Sequence, residues 1–248
     1  MASLSPAELA LIFIVMAVGA TVQGSVGLGM GLVATPVLVL INDRFVPAAF
    51  LTAAQFLTVM VILRDRTGLD FRSLSWALAG RLVGSILAAA VIVRLNPTLF
   101  AYVFGGLLLL LVFLSAAGLH LQRTRPNLIG AGIVSGITGT LTGIGGPPVA
   151  LVYQDAHGAR LRSTLAAYFL VGVSISLALL WFVGEYGMAE LKLACFLAPG
   201  VLVGFLLSTH LAPLLGRQAT RWAVLGVSGV GTVVVIVRTV MKQMEGGG

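Results

Sequence analysis

Two long hydrophobic segments of the chain are each interrupted by a cluster of glycines. The first, Leu9–Ile41, is broken by Gln23–Gly31, where glycine occupies positions 24, 27, 29 and 31. The second, Leu128–Tyr153, is broken by Gly139–Pro148. Glycine and proline destabilise the interior of a helix. Within the hydrocarbon of a bilayer, backbone groups without a helical hydrogen bond are tolerated only where protein or a water-filled cavity supplies a partner. The paired breaks therefore predict a binding site at the centre of a membrane transporter.

The composition requires a lipid bilayer as the surroundings of this chain. Of its 248 residues, 58% are hydrophobic and 9% are charged, with a mean hydropathy of +1.07, whereas a soluble domain carries about 25% charged residues. The net charge of +7 is scattered between apolar segments, which favours loop charges that set topology over a nucleic-acid partner. Cys195 is the single cysteine, so neither a disulfide framework nor a cysteine metal site is expected, and no cofactor is predicted.

Apolar segments alternate with polar stretches, of which 155–162 and 184–192 are predicted loops. An offset of 116 residues aligns the glycines at 27 and 29 with those at 143 and 145, and an offset of 120 aligns 80 and 84 with 200 and 204. The sequence therefore predicts an all-α polytopic membrane protein of two inverted repeats, residues 7–122 and 126–241. Each repeat is a broken or re-entrant helix followed by three transmembrane helices. The predicted unbroken spans are Pro47–Leu63, Leu74–Val93, Leu99–Leu119, Leu165–Val183, Leu193–Leu215 and Trp222–Met241.

The distribution of Lys and Arg favours the inverted arrangement. If each broken segment is a re-entrant hairpin, one side of the membrane collects nine basic residues and the other five, with Arg81 left inside. The nine are Arg64, Arg66, Arg72, Arg123, Arg125, Arg160, Arg162, Arg217 and Arg221, and the five are Arg44, Arg94, Lys192, Arg238 and Lys242. A topology of eight straight crossings would instead place eight basic residues on one side of the membrane and six on the other. The positive-inside rule therefore favours the hairpins, with both termini periplasmic.

The glycine breaks are themselves candidate binding elements. Small residues often serve close helix packing, and that interpretation suits the glycines at 80, 84, 200 and 204. The glycine density of Gln23–Gly31 is instead typical of a loop, and the N–H groups of the half-helix after it can bind an anion with help from the helix dipole. The predicted substrate-binding glycines are Gly24, Gly27, Gly29, Gly31, Gly143, Gly145 and Gly146.

Arg81 lies about a third of the way into the predicted span Leu74–Val93. A charge near the middle of a span costs at least about 2.5–3.5 kcal/mol on insertion scales. Snorkelling or a carboxylate partner is the alternative explanation, but no Asp or Glu falls inside a predicted span. A guanidinium that faces a cavity can grip a sulfonate or a carboxylate through two hydrogen bonds. We therefore predict that Arg81 contacts an anionic substrate.

Four further polar residues lie in or beside the spans. Gln23, Gln55 and Tyr168 either orient an anion or hydrogen-bond between helices, and the sequence does not separate these roles. His210 is a proton-coupling candidate because imidazole changes its charge near neutral pH. A lone histidine on an apolar face is more often a hydrogen-bonded core residue, so this alternative stays open.

The glycine-rich stretches resemble the TauE/SafE (sulfite exporter) family of membrane permeases. Gly27-Leu-Gly-Met-Gly31 followed by Pro36 matches the family pattern Gly-x-Gly-Gly-Gly-x-x-x-x-Pro, except that Met30 replaces one glycine. Gly143-Ile-Gly-Gly-Pro-Pro148 is similar to the family's second copy. The resemblance covers the whole chain in length, duplication and loop pattern. It implies transport of small sulfur-containing or carboxylate anions across the bacterial cytoplasmic (inner) membrane.

We therefore expect a secondary transporter that exports a small anionic substrate such as sulfite or an organosulfonate. Proton coupling and a homodimer are extensions that the sequence leaves open, and an anion channel or a small-carboxylate permease is the alternative. An intramembrane enzyme is disfavoured, because one Cys, one membrane His and no carboxylate within a span supply neither a nucleophile–base pair nor a metal site. A phosphate-binding loop of the Gly-x-x-x-x-Gly-Lys-Ser/Thr kind does not occur, so ATP hydrolysis is not predicted.

Overall fold

The computed structural model describes residues 4–65, 70–117, 119–155, 158–212, 224–226, 228–234 and 237. The regular elements in these ranges are all helices, which confirms the all-α prediction for this part of the chain. A 3-10 turn, Asp43–Phe45, lies between α2 and α3, and Val224–Val234 is a further short apolar helix. The α-helices are α1 (Pro6–Val26), α2 (Met30–Ile41), α3 (Ala48–Arg64), α4 (Phe71–Ile92), α5 (Pro97–Ala116), α6 (Arg125–Thr142), α7 (Gly146–Ala150), α8 (Gly158–Phe182) and α9 (Met188–Leu211).

Within the described ranges, five helices are long and apolar enough to cross a bilayer: α1, α4, α5, α8 and α9. The chain is thus a polytopic membrane protein, as predicted. The apolar helices α2 and α3 are shorter, at 12 and 17 residues. Six of the sequence predictions concern residues outside the described ranges, namely those for Arg66, Arg217, Arg221, Trp222, Arg238 and Lys242.

Side-chain caps fix where several helices begin. Ser5 caps α1 by accepting a hydrogen bond from the N–H of Glu8, and the Glu8 carboxylate accepts one from the N–H of Ser5 in return. Asn96 and Thr124 cap α5 and α6 through their side-chain oxygens. Each cap satisfies part of the set of N–H groups that a helix leaves unpaired at its start.

Two predicted loops are wrong in their second halves, which are helical. α8 begins at Gly158 rather than near Leu165, and α9 begins at Met188 rather than at Leu193. Hydropathy marks only the apolar part of a helix, whereas backbone hydrogen bonding extends into a polar first turn. At α9, the Glu190 carboxylate stabilises that turn by accepting a hydrogen bond from the N–H of residue 187 at 2.9 Å.

Glycines of α4 set its close contact with α6. A side chain at Gly80 would overlap the carbonyl group of Ile129, and a side chain at Gly84 would overlap that of Ile133. Only glycine lets the two backbones approach this closely. The packing role predicted for these two glycines is confirmed.

The corresponding glycines of α9 pack against α1. A Cβ atom at Gly200 would lie 2.8 Å from the carbonyl oxygen of Phe13, and one at Gly204 would overlap the carbonyl oxygen of Ala17. The packing role of these glycines is therefore confirmed as well. Residues 13 and 17 are related to 129 and 133 by the same offset of 116 that relates the two glycine breaks.

The chain reverses direction at each break. A straight helix would separate residues 19 and 30 by about 16 Å, yet a Cβ atom at Gly19 would lie 3.1 Å from the carbonyl oxygen of Met30. After the second break, the carbonyl oxygen of Leu151 accepts a hydrogen bond of 3.2 Å from the N–H of Leu121, which precedes α6. Both broken segments therefore form hairpins within the helical bundle.

Candidate functional site

Three glycines lie at the breaks, where the backbone adopts a positive φ that disfavours a residue with a Cβ atom. Gly27 ends α1 with a φ of +98°, Gly29 precedes α2 with a φ of +122°, and Gly143 ends α6 with a φ of +78°. Other residues are strained at such angles. The helices thus end at these glycines, although the hydrophobic sequence continues past them.

The two breaks contact each other. A Cβ atom at Gly31 would lie 3.2 Å from the carbonyl oxygen of Gly143 and 2.9 Å from a side-chain carbon of Ile144. A Cβ atom at Gly146 would lie 3.4 Å from Cβ of Leu28. Segments that are more than a hundred residues apart in the sequence therefore form one region of the protein.

A cavity of about 30 Å³ lies at this contact, with room for about two water molecules. Both breaks line it, together with residues of α3, α4 and α8 that include Phe50, Thr58 and Phe169. Arg81 of α4 is the only charged residue among the described residues of the lining. The cavity therefore presents one positive charge and several backbone groups within otherwise apolar walls.

Arg81 is buried, with 1% of its surface exposed. Its Nη1 atom donates to Ser135 of α6, at 2.9 Å to Oγ and 3.3 Å to the carbonyl oxygen. The guanidinium carbon lies 5.3 Å from the centre of the Tyr168 ring. Its Nε atom is buried without a hydrogen-bond partner, and the ion pairs found in the described ranges do not include Arg81. The guanidinium thus keeps donor capacity that the protein does not use.

Three glycines leave the space that this guanidinium occupies. A Cβ atom at Gly139 would lie 3.0 Å from Nη2, and one at Gly145 would lie 2.6 Å from Nη1. A Cβ atom at Gly172 of α8 would overlap Nε itself. Arg81 is therefore held at the second break by the shape of its surroundings as well as by Ser135.

The half-helices after the two breaks differ in the N–H groups that they offer. At the start of α2, the N–H of Met30 donates to the side-chain oxygen of Gln23 at 3.3 Å, and Gly31 and Leu32 line the cavity. The five-residue helix α7 contains Pro147 and Pro148 in its first turn, and proline has no N–H. The first turn of α2 therefore has N–H groups at each of its residues, whereas two residues in the first turn of α7 have none; anion binding at either helix start stays a prediction.

The structure brings seven of the twelve predicted site residues to the cavity, and five lie elsewhere. Gly24 and Gly27 belong to the first break but do not line the cavity. Gln55 donates to the carbonyl oxygen of Leu170 at 2.9 Å and so links α3 to α8. Tyr168 is buried beside Arg81, and its hydroxyl has no hydrogen-bond partner in the described part of the chain. The seven that line the cavity are Gln23, Gly29, Gly31, Arg81, Gly143, Gly145 and Gly146.

His210 lies in the last turn of α9, on an exposed surface and outside the cavity lining. Its Nδ1 atom is 3.0 Å from the hydroxyl of Thr209 and 3.3 Å from the carbonyl oxygen of Leu206. In the described residues no three His, Cys, Asp or Glu side chains lie close enough together to hold a metal ion.

Sequence reasoning missed the residues that position Arg81. Ser135 accepts a hydrogen bond from Arg81 and donates one to the carbonyl oxygen of Gly145 at 2.6 Å, so it joins the arginine to the second break. Gly172 and Thr58 were also missed. Serine, threonine and glycine are frequent in membrane helices, so only the packing of α3 and α4 against α6 and α8 distinguishes these three.

The model of the family described as Sulfite exporter TauE/SafE matches residues 11–235. No curated protein and no solved structure matches the chain. The family match covers both glycine breaks and all of the residues around the cavity.

Proposed function

The chain belongs to the sulfite exporter TauE/SafE family, and from this premise we propose that it exports sulfite or an organosulfonate bound to Arg81 in the central cavity. The family is one of membrane transporters and not of enzymes. The choice of anion, the direction of transport and the role of Arg81 are our proposal. A small carboxylate carries the same negative oxygens and is the alternative substrate.

One observation carries this proposal: a buried guanidinium faces a cavity and has no carboxylate partner among the described residues. Arg81 is 1% exposed, and within that part of the chain its Nε atom has no hydrogen-bond partner. A buried charge is costly unless it is paired. An oxyanion in the cavity supplies the missing charge and accepts the unused hydrogen bonds, which explains why the membrane interior retains this arginine.

The surroundings of the cavity favour a small anion over a neutral solute. The low dielectric of apolar walls strengthens the attraction between a guanidinium and an oxyanion. The start of α2 adds the positive end of its helix dipole, and the side-chain amide of Gln23 adds a polar group at the cavity wall. These groups recognise oxygens and charge, so they suit sulfite, a sulfonate headgroup or a small carboxylate.

The proposal includes two inverted repeats, residues 7–122 and 126–241. Two sets of contacts support it. The pairing of α4 with α6 resembles that of α9 with α1. Glycines 80 and 84 of α4 pack on the carbonyl groups of residues 129 and 133, and glycines 200 and 204 of α9 pack on those of residues 13 and 17. Residues 13 and 17 are each 116 positions from 129 and 133. Both breaks form hairpins. Hairpins that enter from opposite sides would let the cavity open to each side in turn, with both termini periplasmic.

Proton coupling through His210 is the least supported part of the proposal, because this residue does not line the cavity. If His210 couples transport to protons, the His210→Gln variant loses the pH dependence of uptake. An unchanged pH profile would remove His210 from the mechanism.

Transport by purified protein in proteoliposomes tests the proposed function. Radiolabelled sulfite, an alkylsulfonate and acetate are offered to the wild type, to Arg81→Ala and to Arg94→Ala, which removes an exposed arginine after the same helix. We expect Arg81→Ala to lower the transport rate at least 100-fold, since two charge-assisted hydrogen bonds are worth about 1.5–3 kcal/mol each. Arg94→Ala should retain the wild-type rate. Full activity of Arg81→Ala would overturn the assignment, and flux that no gradient drives uphill would indicate a channel.

A further inference from the structure

Two further arginines lie near the first break and enclose a carboxylate of the protein itself. The Asp65 carboxylate is held between Arg64 at the end of α3 and Arg162 near the start of α8. Its Oδ2 atom is 2.6 Å from Nε of Arg162 and 3.0 Å from Nη2 of Arg64. Its Oδ1 atom is 3.2 Å from Nη2 of Arg162 and 3.3 Å from Nε of Arg64. Each carboxylate oxygen therefore receives one hydrogen bond from each arginine.

This arginine cradle, formed by Arg64 and Arg162, is joined to the first break. Arg64 also donates to the carbonyl oxygen of Gly24 and to the hydroxyl of Ser208 in α9. Gly24 is the neighbour of Gln23, which lines the cavity.

The cradle lies on the helices that lead to the cavity. Thr58 and Phe169 line the cavity and belong to α3 and α8. They precede Arg64 by six residues and follow Arg162 by seven, which is about 9–10 Å along each helix axis. An anion that leaves the cavity along α3 and α8 therefore reaches the cradle after about two helical turns.

The cradle carries an excess positive charge in a largely buried position. Exposed side-chain fractions are 19% for Arg64, 17% for Arg162 and 9% for Asp65. Burial raises the pKa of Asp65, but the hydrogen bonds and charges of Arg162 and Arg64 outweigh burial and hold the pKa below its ordinary value of 3.8. Among the residues that the structure describes, two cations thus share one anion, and the geometry around that anion is the bidentate one that recognises oxyanions.

We propose that the arginine cradle is a second binding station for the transported oxyanion, and that Asp65 is a tethered competitor for it. The anion takes the place of the Asp65 carboxylate between the two guanidiniums as it passes between the cavity and the end of α3. The return of Asp65 then displaces the anion, so the station does not trap it. This inference rests on the proposed transport function, but its binding step is measurable without transport.

Equilibrium binding of sulfite to purified protein tests the station. The Arg81→Gln background removes the central site, so any remaining binding reports the cradle. We expect Asp65→Asn in this background to increase sulfite affinity at least tenfold, with one anion bound per chain, and Arg162→Gln to abolish the gain. Asp70→Asn is the matched control, because the described ion pairs join Asp70 to one arginine, Arg123, at 3.4 Å. It should leave sulfite affinity unchanged.

Two results of the binding experiment would contradict the proposal that the arginine cradle is a second binding station. The first is no gain from Asp65→Asn, or from Asp65→Ser as a second substitution, in protein whose Tm shows that it is folded. The second is an equal gain from Asp70→Asn, which would indicate a general effect of net charge. A protein that binds sulfite at the cradle but fails to transport it would contradict the proposed function and leave the station intact.

Transport kinetics then separate a station from a structural ion pair. In the wild-type background, Asp65→Asn should lower both KM and kcat about fivefold or more, because the anion binds more tightly and leaves more slowly. Arg162→Gln should raise KM. If Asp65→Asn lowers only Tm and kcat while KM stays constant, Asp65 joins helices and does not compete with the anion.

Discussion

The two glycine breaks begin alike and continue differently. After the first break the chain resumes as the 12-residue helix α2, whereas after the second it resumes as the five-residue helix α7 with two prolines in its first turn. At the first break, Gly31 and Leu32 in the first turn of α2 line the cavity, and the N–H of Met30 donates to Gln23. At the second break, two of the first three residues of α7 are prolines without an N–H, and the side chain of Arg81 lies there. Repeated sequence features therefore supply donors from the backbone at one break and from a side chain at the other.

The difference also assigns different roles to similar glycines. Gly29 and Gly145 correspond at the offset of 116, but Gly29 has a φ of +122° and Gly145 does not have a positive φ. Gly29 is needed for the backbone turn. Gly145 is needed for space, because a Cβ atom there would lie 2.6 Å from the Arg81 guanidinium. The breaks can therefore be disrupted separately, through the backbone at the first and through Arg81 at the second.

The largest effect is expected from Gly172→Ala, which disrupts the second break alone. The new methyl group would overlap Nε of Arg81, and the flexible arginine side chain would move while the helices stay in place. We expect the transport rate to fall about 100-fold with little change in Tm. The matched control is Gly130→Ala in α6, where a Cβ atom would meet nothing within 4 Å. Equal activity of the two variants would show that the position of Arg81 is unimportant.

Gln23→Glu tests the electrostatics of the first break. The substitution keeps an oxygen that accepts the Met30 N–H, now 3.3 Å from the Gln23 oxygen, but it adds a negative charge to the cavity wall. We expect KM for the anion to rise at least tenfold, since two negative charges then face each other in a medium of low dielectric. Gln23→Met, which removes the polar group without adding a charge, should have a smaller effect. An unchanged KM in Gln23→Glu would mean that the anion does not approach the first break.

Gly29→Ala and Gly145→Ala test the two roles against each other. Gly29→Ala introduces backbone strain of about 1–3 kcal/mol and a contact of 2.8 Å with Val22, so Tm should fall by several degrees. Gly145→Ala places a Cβ atom 3.0 Å from the carbonyl oxygen of Ser135 as well as 2.6 Å from Arg81, so Tm should fall less than in Gly29→Ala while KM rises about tenfold by displacement of Arg81. Thermal melting and anion uptake of both variants distinguish these outcomes. The reverse assignment of effects would contradict the comparison of the breaks.

The smallest effect is expected from Ser135→Ala. This change removes one hydrogen bond to Arg81, while the carbonyl oxygen of residue 135 remains 3.3 Å from the guanidinium. A hydrogen bond to a charged group contributes about 1.5–3 kcal/mol, but the carbonyl oxygen keeps part of this contribution, so KM should rise only about three- to tenfold. Ser135→Thr, which keeps the hydroxyl, should retain more activity. If both variants lose the same activity, packing rather than the hydrogen bond positions Arg81.

The breaks and the buried arginine were predictable because each is unfavourable in its immediate sequence context, whatever the packing of the helices. Four glycines within Gln23–Gly31 cannot continue a helix well, and a charge in an apolar span is costly without a partner. The long apolar helices follow from composition alone. These features need no knowledge of how the helices pack.

The remaining parts of the site depend on packing that the sequence does not display. The contact between the breaks arises only when the two hairpins meet, and the hydrogen bond from Arg81 to Ser135 arises only when α4 lies against α6. The cradle around Asp65 combines residues that are 97 positions apart, and the sequence suggested only loop charges there. The starts of α8 and α9 were missed because their first turns are polar.

Binding of small oxyanions to purified protein tests the central claim most directly, since it involves neither coupling nor direction. Sulfite, an alkylsulfonate and acetate are titrated calorimetrically into the wild type and into Arg81→Gln. We predict that the wild type binds at least one of these anions with one anion per chain. Arg81→Gln should weaken that affinity at least 50-fold while retaining the Tm of the anion-free wild type. An Arg81→Gln protein that binds the same anion with unchanged Kd would contradict the account.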